Sequence, residues 1–362
     1  MRATYSTITL YAPDRTPCAV DLSDNTNLWG VPPHAARVLR DAAAAAVTRY
    51  PSLYAHGLKE RLAAYLGVDA TMVVTGCGSD DVLDSAIRAV TEPGDAVALP
   101  EPSFAMIPIF ARMNGLGPVV VPLRGGTGLD ADAMLATGAR VIYLCSPNNP
   151  TGNALDADAV RRVVREAPGV VIIDEAYAEY AGCDALELLR ESDRLLVCRT
   201  MSKAFGLAGL RVGYAAGSPS LVAEVEKSRG PYKVSALAER AAAAALDHDM
   251  QWVREKVAGA VENRERFRRA LEARGLAPLP SRSNFVLVPV PDATHAAARM
   301  RELGVAIRPF ANLPAIGDAL RISIGPWEMM EKCLQAIEGS IRESEVGSRK
   351  SDASGVRARG RR

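Results

Sequence analysis

Seven short apolar runs between about residues 72 and 216 constrain the fold of this chain more than any other feature. They are "MVVT", "AVAL", "VVV", "VIYLC", "VVII", "LLVC" and "VGYAA". Several are apolar at every position, as strands buried on both faces are. Helical patterns separate most of them, and in "DDVLDSAIRAV" the apolar residues fall on one helical face. The alternation predicts an α/β fold with a seven-stranded, mostly parallel sheet flanked by helices.

The pattern changes outside this block. "HAARVLRDAAAAAVTRY" and "GLKERLAAYLGV" predict helices, and Ala236 to Arg274 predicts a long helical region with a break around Asp247. "NFVLVPV", "GVAIRPF" and "LRISIG" predict strands, and "PWEMMEKCLQAIEGSIRE" predicts a helix with proline in its first turn. We expect an N-terminal segment of a small domain (1–45), a large domain (46–235), a C-terminal small α+β domain (236–345) and a disordered basic tail (346–362).

Composition and charge bear on which partners and which cellular location to expect for this protein. The chain has 362 residues, 48% of them hydrophobic, and a net charge of +1, so charge gives no argument for nucleic-acid or membrane partners. The N-terminus lacks a continuous apolar signal core, and no later stretch is apolar and long enough to span a bilayer. The cysteines show no C-x-x-C spacing, which predicts reduced core thiols in a cytoplasmic protein without a metal site. They are Cys18, Cys77, Cys145, Cys183, Cys198 and Cys333.

Polar residues follow the apolar runs, at the sheet edge where ligands bind. After "MVVT", Gly76 and Gly78 allow a tight turn, and Ser79 and Asp80 open a helix whose N–H groups could hold a phosphate. Plain helix capping is the alternative. After "AVAL", Phe104 could stack on a flat ligand, or it could pack in the core.

The runs "VIYLC" and "VVII" are followed by an amide and a carboxylate. In "SPNNPTG", Asn149 could donate to a ligand oxygen, although a turn alone also explains the loop. Asp174 follows the buried run "VVII", where a carboxylate needs a cationic partner. A protonated ring nitrogen would serve, and so would a nearby arginine. Tyr177 could offer a phenol on the same side.

The stretch "TMSKAFGLAGLRVGY" places a lysine in apolar surroundings. Thr200, Ser202 and Lys203 follow the run "LLVC", and Arg211 precedes the next strand. Because a desolvated lysine has a lowered pKa, it becomes nucleophilic toward carbonyls. A Schiff-base lysine, an acid for a pyridinium, partners for a ring oxygen and an anion-binding helix start together describe a pyridoxal phosphate site.

Motifs in a fixed order carry a family resemblance. They are "RYPSLY", "GCGSDD", "SPNNPTG", "DEAY", "TMSKAFGLAGLRVGY" and "LRISIG", spanning Asp24 to Gly325. The chain resembles fold type I pyridoxal-phosphate enzymes, specifically class I/II aminotransferases, and looks most similar to the histidinol-phosphate aminotransferase group. The resemblance implies that fold, with the small α+β domain beside the large one.

The resemblance also implies site roles. Lys203 would form the Schiff base, Asp174 would contact the pyridine nitrogen, Asn149 and Tyr177 the 3′ oxygen, and Phe104 would stack on the ring. The implied phosphate ligands are Ser79, Asp80, Thr200, Ser202 and Arg211. A tyrosine of the neighbouring subunit also reaches the phosphate in such enzymes, which implies a homodimer with a shared site. Tyr50 is the better match and Tyr54 the alternative.

Arg321 corresponds to the arginine that binds the substrate carboxylate. In "LRISI" the apolar residues alternate with Arg321 and Ser323, so Arg321 should leave its strand on the face away from the core. Its planar guanidinium suits a carboxylate, although a surface arginine remains the alternative. Arg308 resembles a second family arginine near the distal end of the substrate.

The implied reaction is transamination of an L-amino acid or amino-alcohol phosphate with a 2-oxo acid, with Lys203 moving the Cα proton. Where the histidinol-phosphate group has N-E-N-P-Y-G, this chain has "DNTNLWG". Trp29 and Phe104 replace tyrosines there, which favours an aromatic or specialised biosynthetic substrate as the alternative. A threonine-phosphate-type decarboxylase and a regulatory module without turnover are further alternatives on the same scaffold.

Overall fold

The computed structural model describes residues 3–10, 12, 14, 16–42, 47–182 and 184–339. The strands are β1 (Val20–Asp21), β2 (Val73–Cys77), β3 (Ala96–Glu101), β4 (Gly117–Pro122), β5 (Val141–Cys145), β6 (Val170–Asp174), β7 (Leu195–Thr200), β8 (Val212–Gly217), β9 (Phe285–Pro289), β10 (Val305–Ala306), β11 (Arg308–Leu313) and β12 (Gly317–Ser323). The helices are α1 (Pro33–Arg40), α2 (His56–Leu66), α3 (Gly78–Val90), α4 (Ile107–Met113), α5 (Ala131–Ala136), α6 (Ala157–Glu166), α7 (Ala178–Ala181), α8 (Pro219–Arg229), α9 (Ala236–His248), α10 (Met250–Glu272), α11 (Ala293–Glu302) and α12 (327–339).

The large sheet has seven strands in the order β2-β8-β7-β6-β5-β3-β4. Only the pairs that involve β8 are antiparallel, and the other pairs are parallel. Apolar clusters cover both faces, so the strands are buried on each side. The seven apolar runs are the seven strands, which confirms the predicted fold class. Because β5, β6 and β7 are parallel, their carboxyl ends meet at one edge.

Two smaller sheets lie outside the large one. β11, β12 and β9 form an antiparallel sheet in that order, and β1 pairs in parallel with β10. The run "GVAIRPF", predicted as one strand, is therefore two strands in different sheets. Pairing of Val20 with Val305 joins the N-terminal segment to the C-terminal third. This pairing supports the proposed division at 1–45, 46–235 and 236–345, which stays a proposal, and 346–362 lies outside the described residues.

The helices largely follow the predicted pattern. The long helical region breaks at Asp249, whose side chain accepts backbone hydrogen bonds from the start of α1. The helix α1 ends at Arg40, short of the predicted end at residue 50. The alanine run of the predicted helix begins beyond this end, and Ala42, its first residue, is not helical. Residues 43–46 of that run lie outside the described part of the chain.

The cysteines are less uniformly buried than predicted. Cys145, Cys198 and Cys333 are buried, but Cys77 is exposed at the end of β2, directly before α3. Cys183 lies outside the described residues. Within the described ranges, no helix is long and apolar enough to cross a membrane. The same ranges contain no group of three histidine, cysteine or acidic side chains that could hold a metal ion.

Candidate active site

A cavity of about 550 Å³ lies at the carboxyl ends of β5, β6 and β7. The predicted site residues that line it are Ser79, Asp80, Phe104, Asn149, Asp174, Tyr177, Thr200, Ser202, Lys203, Arg211, Arg308 and Arg321. They follow strands or start helices throughout the large-sheet block, and two of them come from the small antiparallel sheet. The structure therefore brings these residues together, as the strand-end argument predicts.

Asp174 ends β6 in the floor of the cavity and is 4% exposed. One carboxylate oxygen accepts a hydrogen bond from the Tyr143 hydroxyl at 2.8 Å, and the other accepts from the Ala176 N–H at 3.0 Å. Burial raises the pKa of the Asp174 carboxyl from 3.8 to about 6, while these hydrogen bonds act in the opposite direction. Arg199 of the neighbouring strand β7 pairs with Glu175, the residue after Asp174.

Lys203 lies three residues beyond the end of β7 and lines the same cavity. Its Nζ donates to the carbonyl oxygen of Asp24 at 3.3 Å and lies 5.9 Å from the ring centroid of Tyr177. Burial lowers the pKa of the Lys203 ammonium from 10.5 to about 8, and the charge of Arg321 acts in the same direction. The neutral amine is thus accessible close to neutral pH.

An arginine from the small sheet reaches across to the large one. The Arg321 guanidinium donates to Asn149 Oδ1 at 2.6 Å and to the carbonyl oxygen of Ser23 at 2.7 Å. Because Asn149 Oδ1 accepts from Arg321, the Asn149 amide nitrogen remains as a donor. The adjacent Asn148 is used differently, since its amide donates to the Pro102 carbonyl oxygen and to Thr151 Oγ1 within the turn.

The start of α3 forms a candidate anion-binding corner beside the cavity. The residue before it, Cys77, has no side-chain cap hydrogen bond, and the Cys77 backbone N–H donates to an Asp81 carboxylate oxygen at 2.9 Å. A Cβ on Gly213 of β8 would lie 2.1 Å from the Ser79 backbone nitrogen, so only glycine allows this approach. Arg211, with a φ of 54°, directs its guanidinium over this turn, 3.6 Å from an Asp80 carboxylate oxygen.

Hydrogen bonds hold the hydroxyl groups of Thr200 and Ser202 in place beside this corner. Thr200 is 2% exposed, and its Oγ1 accepts from the Ser202 N–H at 3.1 Å and donates to Ser202 Oγ at 3.0 Å. Arg211 donates to Ser202 Oγ at 3.3 Å. Backbone N–H groups, hydroxyls and a guanidinium around one space are the donors that a phosphate requires.

The structure does not bring every predicted residue to this cavity. Trp29 does not line the cavity but packs against two core clusters. Its backbone N–H donates to Asn27 Oδ1 at 2.9 Å. Tyr50 is 83% exposed and stacks on Tyr232. Tyr54 lies under the Arg229 guanidinium. The predicted contacts of these aromatic residues with a substrate or with a neighbouring subunit's cofactor stay predictions.

Some residues in or next to the cavity were not identified from the sequence. Tyr143 is fully buried in β5, and its signal was a phenol inside an otherwise apolar run. Asn25 and Phe310 line the cavity from the N-terminal segment and from β11. Their position depends on how the small sheets pack against the large one, and no local pattern marks it.

A lysine beyond β7 and a buried carboxylate at the end of the neighbouring β6, on a mostly parallel sheet, are the arrangement expected of a pyridoxal-phosphate-dependent enzyme. The chain matches the family "Aminotransferase class I and II" over residues 18–337, and it belongs to that family. Enzymes of this family transfer an amino group from an amino donor to a 2-oxo acid.

Individual relatives cover most of the chain. It is 39% identical to histidinol-phosphate aminotransferase 2 of Ralstonia nicotianae, over 91% of this chain and 90% of that protein. It is 38% identical to an aromatic amino acid aminotransferase of Rhodococcus jostii, over 90% of this chain and 91% of that protein. The crystal structure of histidinol-phosphate aminotransferase from Sinorhizobium meliloti in complex with pyridoxal-5'-phosphate superposes with a TM-score of 0.85. That structure shares 28% identity, covering 95% of this chain and 98% of that one.

Proposed function

We propose that this aminotransferase takes histidinol phosphate, an amino-alcohol phosphate, as its amino donor and a 2-oxo acid as its acceptor. The observation that carries this proposal is the pairing of two arginines. Arg308 of β11 lies directly opposite Arg321 of β12 in the antiparallel register, and both line the cavity. Two guanidinium groups on one wall suit a phosphate dianion better than a single carboxylate. The relative at 39% identity carries the corresponding name.

The residues around the cavity suit pyridoxal phosphate as cofactor. The first turn of α3, with Thr200, Ser202 and Arg211, would hold its phosphate. Asp80 would contribute its backbone N–H, because its carboxylate faces Arg211 and would repel a phosphate. Phe104 lines the cavity and would cover one face of the ring.

Asp174, Asn149 and Tyr177 would hold the edges of the pyridine ring. The hydrogen bonds from Tyr143 and Ala176 stabilise the ionised form of Asp174, which can then pair with a cationic ring nitrogen. When bound, the cofactor supplies the electron sink that stabilises a carbanion at the substrate Cα. Lys203, whose pKa is lowered to about 8, can accept the Cα proton and return it.

A donor comparison tests the substrate proposal. We expect Arg308→Gln to lower kcat/KM for histidinol phosphate by about 100-fold, because a charge-assisted contact contributes about 3 kcal/mol. The same variant should change kcat/KM for phenylalanine by less than about threefold, since its carboxylate needs only Arg321. Arg162→Gln, an exposed arginine outside the cavity, serves as the control. Equal losses for both donors, or wild-type protein that ignores histidinol phosphate, would contradict the proposal.

An aromatic amino donor is the second candidate. Phe104 and Phe310 both line the cavity, and a relative at 38% identity is an aromatic amino acid aminotransferase. The phenylalanine arm of the same comparison tests this candidate, because it predicts that phenylalanine outperforms histidinol phosphate in the wild type. A decarboxylase on this scaffold would release carbon dioxide without converting the cofactor to its amine form.

A homodimer with a shared site also belongs to this proposal. Tyr50 and Tyr232 form a stacked, exposed aromatic pair with ring centroids 4.9 Å apart, which suits a contact with a second subunit. Light scattering should then give twice the 38.5 kDa chain mass, and a monomer with tightly bound cofactor would contradict it. A cytoplasmic location, expected from the cysteine pattern, stays a proposal.

A further inference from the structure

Asn25 joins the N-terminal segment to a phenol of the candidate site. Its side chain is 1% exposed, and its Nδ2 donates a hydrogen bond to Tyr177 Oη at 3.1 Å. Both residues line the cavity. The Asn25 backbone has a φ of 55°, which asparagine tolerates better than most residues. The buried Asn25 amide therefore contacts Tyr177 directly inside the cavity.

Three further hydrogen bonds fix the orientation of the Asn25 amide. The Asn25 N–H donates to Ser323 Oγ at 2.8 Å, and Ser323 Oγ donates back to Asn25 Oδ1 at 3.0 Å. The Asn284 amide donates to the Asn25 carbonyl oxygen at 3.0 Å. Because Oδ1 accepts from Ser323, the nitrogen of the Asn25 amide must face Tyr177. The contact with Tyr177 therefore has a defined direction.

The direction of this hydrogen bond determines whether the Tyr177 hydroxyl can donate to a further group. A phenol that accepts from Asn25 keeps its O–H as a donor toward another group. Tyr177 is 3% exposed, and its ring is held edge-on against Phe285 at 5.2 Å, so packing already positions the ring. Burial also raises the pKa of the Tyr177 phenol well above its ordinary value, which keeps the proton on the oxygen.

We propose that Asn25 is a positioning residue that keeps the Tyr177 hydroxyl as a hydrogen-bond donor to the pyridine ring oxygen of the cofactor. The inference rests on the proposed cofactor site. A donor at that oxygen stabilises its negative charge and so lowers the pH at which the bound cofactor loses its proton. Asn25 thus links packing of the N-terminal segment and β12 to the electronic state of the cofactor.

Asn25→Asp reverses this hydrogen bond with little change in shape. The introduced carboxylate can only accept, so the Tyr177 O–H turns toward it and away from the cofactor. We expect the midpoint of the absorbance change of the bound cofactor with pH to rise by about one pH unit, since about 1.4 kcal/mol corresponds to one unit. Asn27→Asp is the matched control, because Asn27 lies in the same segment but bonds to the Ala204 carbonyl oxygen. Its midpoint should match the wild type.

A double-mutant cycle separates orientation from added charge. In a Tyr177→Phe background, Asn25→Asp should produce no further rise in the midpoint. An equal rise in that background, or an unchanged midpoint in Asn25→Asp alone, overturns the inference. Wild-type protein that fails to bind pyridoxal phosphate would instead overturn the proposed function, so the two failures are distinguishable.

Discussion

In the folded protein, the pKa values of Lys203 and Asp174 both differ from those of the free side chains. Burial lowers the pKa of the lysine to about 8 and raises the pKa of the aspartate to about 6. Both shifts disfavour the charged form, and in the cofactor-free protein both cost folding free energy at neutral pH. A bound ligand that neutralises them recovers this cost. The same burial that makes the two groups reactive therefore makes the cofactor-free protein less stable.

The lysine shift predicts a pH-dependent stability. The folded-state pKa of Lys203, about 8, lies below the value of 10.5 for the free side chain, so the unfolded chain binds more protons between these two pH values. Stability should rise across that window. We expect cofactor-free Lys203→Met to be more stable than cofactor-free wild type by about 1–3 kcal/mol at pH 7, with the difference fading toward pH 10.5.

Denaturant unfolding of both proteins from pH 7 to 10.5 measures this difference. Lys227→Met is the control, because Lys227 is an exposed lysine on α8 outside the cavity, so this variant should unfold as the wild type does. A Lys203→Met variant that is less stable than wild type at pH 7 would contradict the account.

At the scale of elements, the anion-binding corner depends on contact between two backbones. The antiparallel strand β8 carries Gly213, and a Cβ there would lie 2.1 Å from the Ser79 nitrogen at the start of α3. No rotation of a side chain can relieve such a contact, because both partners are backbone. Gly213 therefore allows the backbone of β8 to pack directly against the first turn of α3.

Gly213→Ala should separate β8 from α3. We expect a loss of about 3 kcal/mol in unfolding free energy, at the upper end for overpacking, and at least tenfold weaker binding of pyridoxal phosphate. Gly259→Ala is the matched control, because that glycine lies within α10 with no neighbour within 4 Å of an added Cβ. It should gain about 0.5–1 kcal/mol. Unchanged stability and affinity in Gly213→Ala would contradict the described contact.

The elements also show what the sequence could and could not predict. The seven strands of the large sheet were predictable because burial on both faces leaves a continuous apolar run. The end of α1 at Arg40 was not, because a helical sequence pattern does not reveal what the helix packs against. "GVAIRPF" divides between β10 and β11, and the division depends on pairing with β1, which is distant in sequence.

At the scale of the whole molecule, three distant parts of the chain meet at one cavity. Asp174 and Lys203 follow neighbouring strands of one sheet, so the rule for parallel sheets predicts their proximity from sequence. Asn25 and Phe310 reach the same cavity only through packing of the small sheets, which no local pattern encodes. The alternation in β12 did predict that Arg321 leaves the core, since Leu320 and Ile322 are buried in a core cluster.

Chemical trapping tests the central claim, that Lys203 is the lysine that bonds to pyridoxal phosphate in this cavity. The protein is incubated with pyridoxal phosphate, reduced with borohydride, digested and analysed by mass spectrometry. We predict a pyridoxyl-phosphate adduct on Lys203 in the wild type and its loss in Lys203→Ala. An adduct on another lysine, or none after incubation with excess cofactor, would contradict the account.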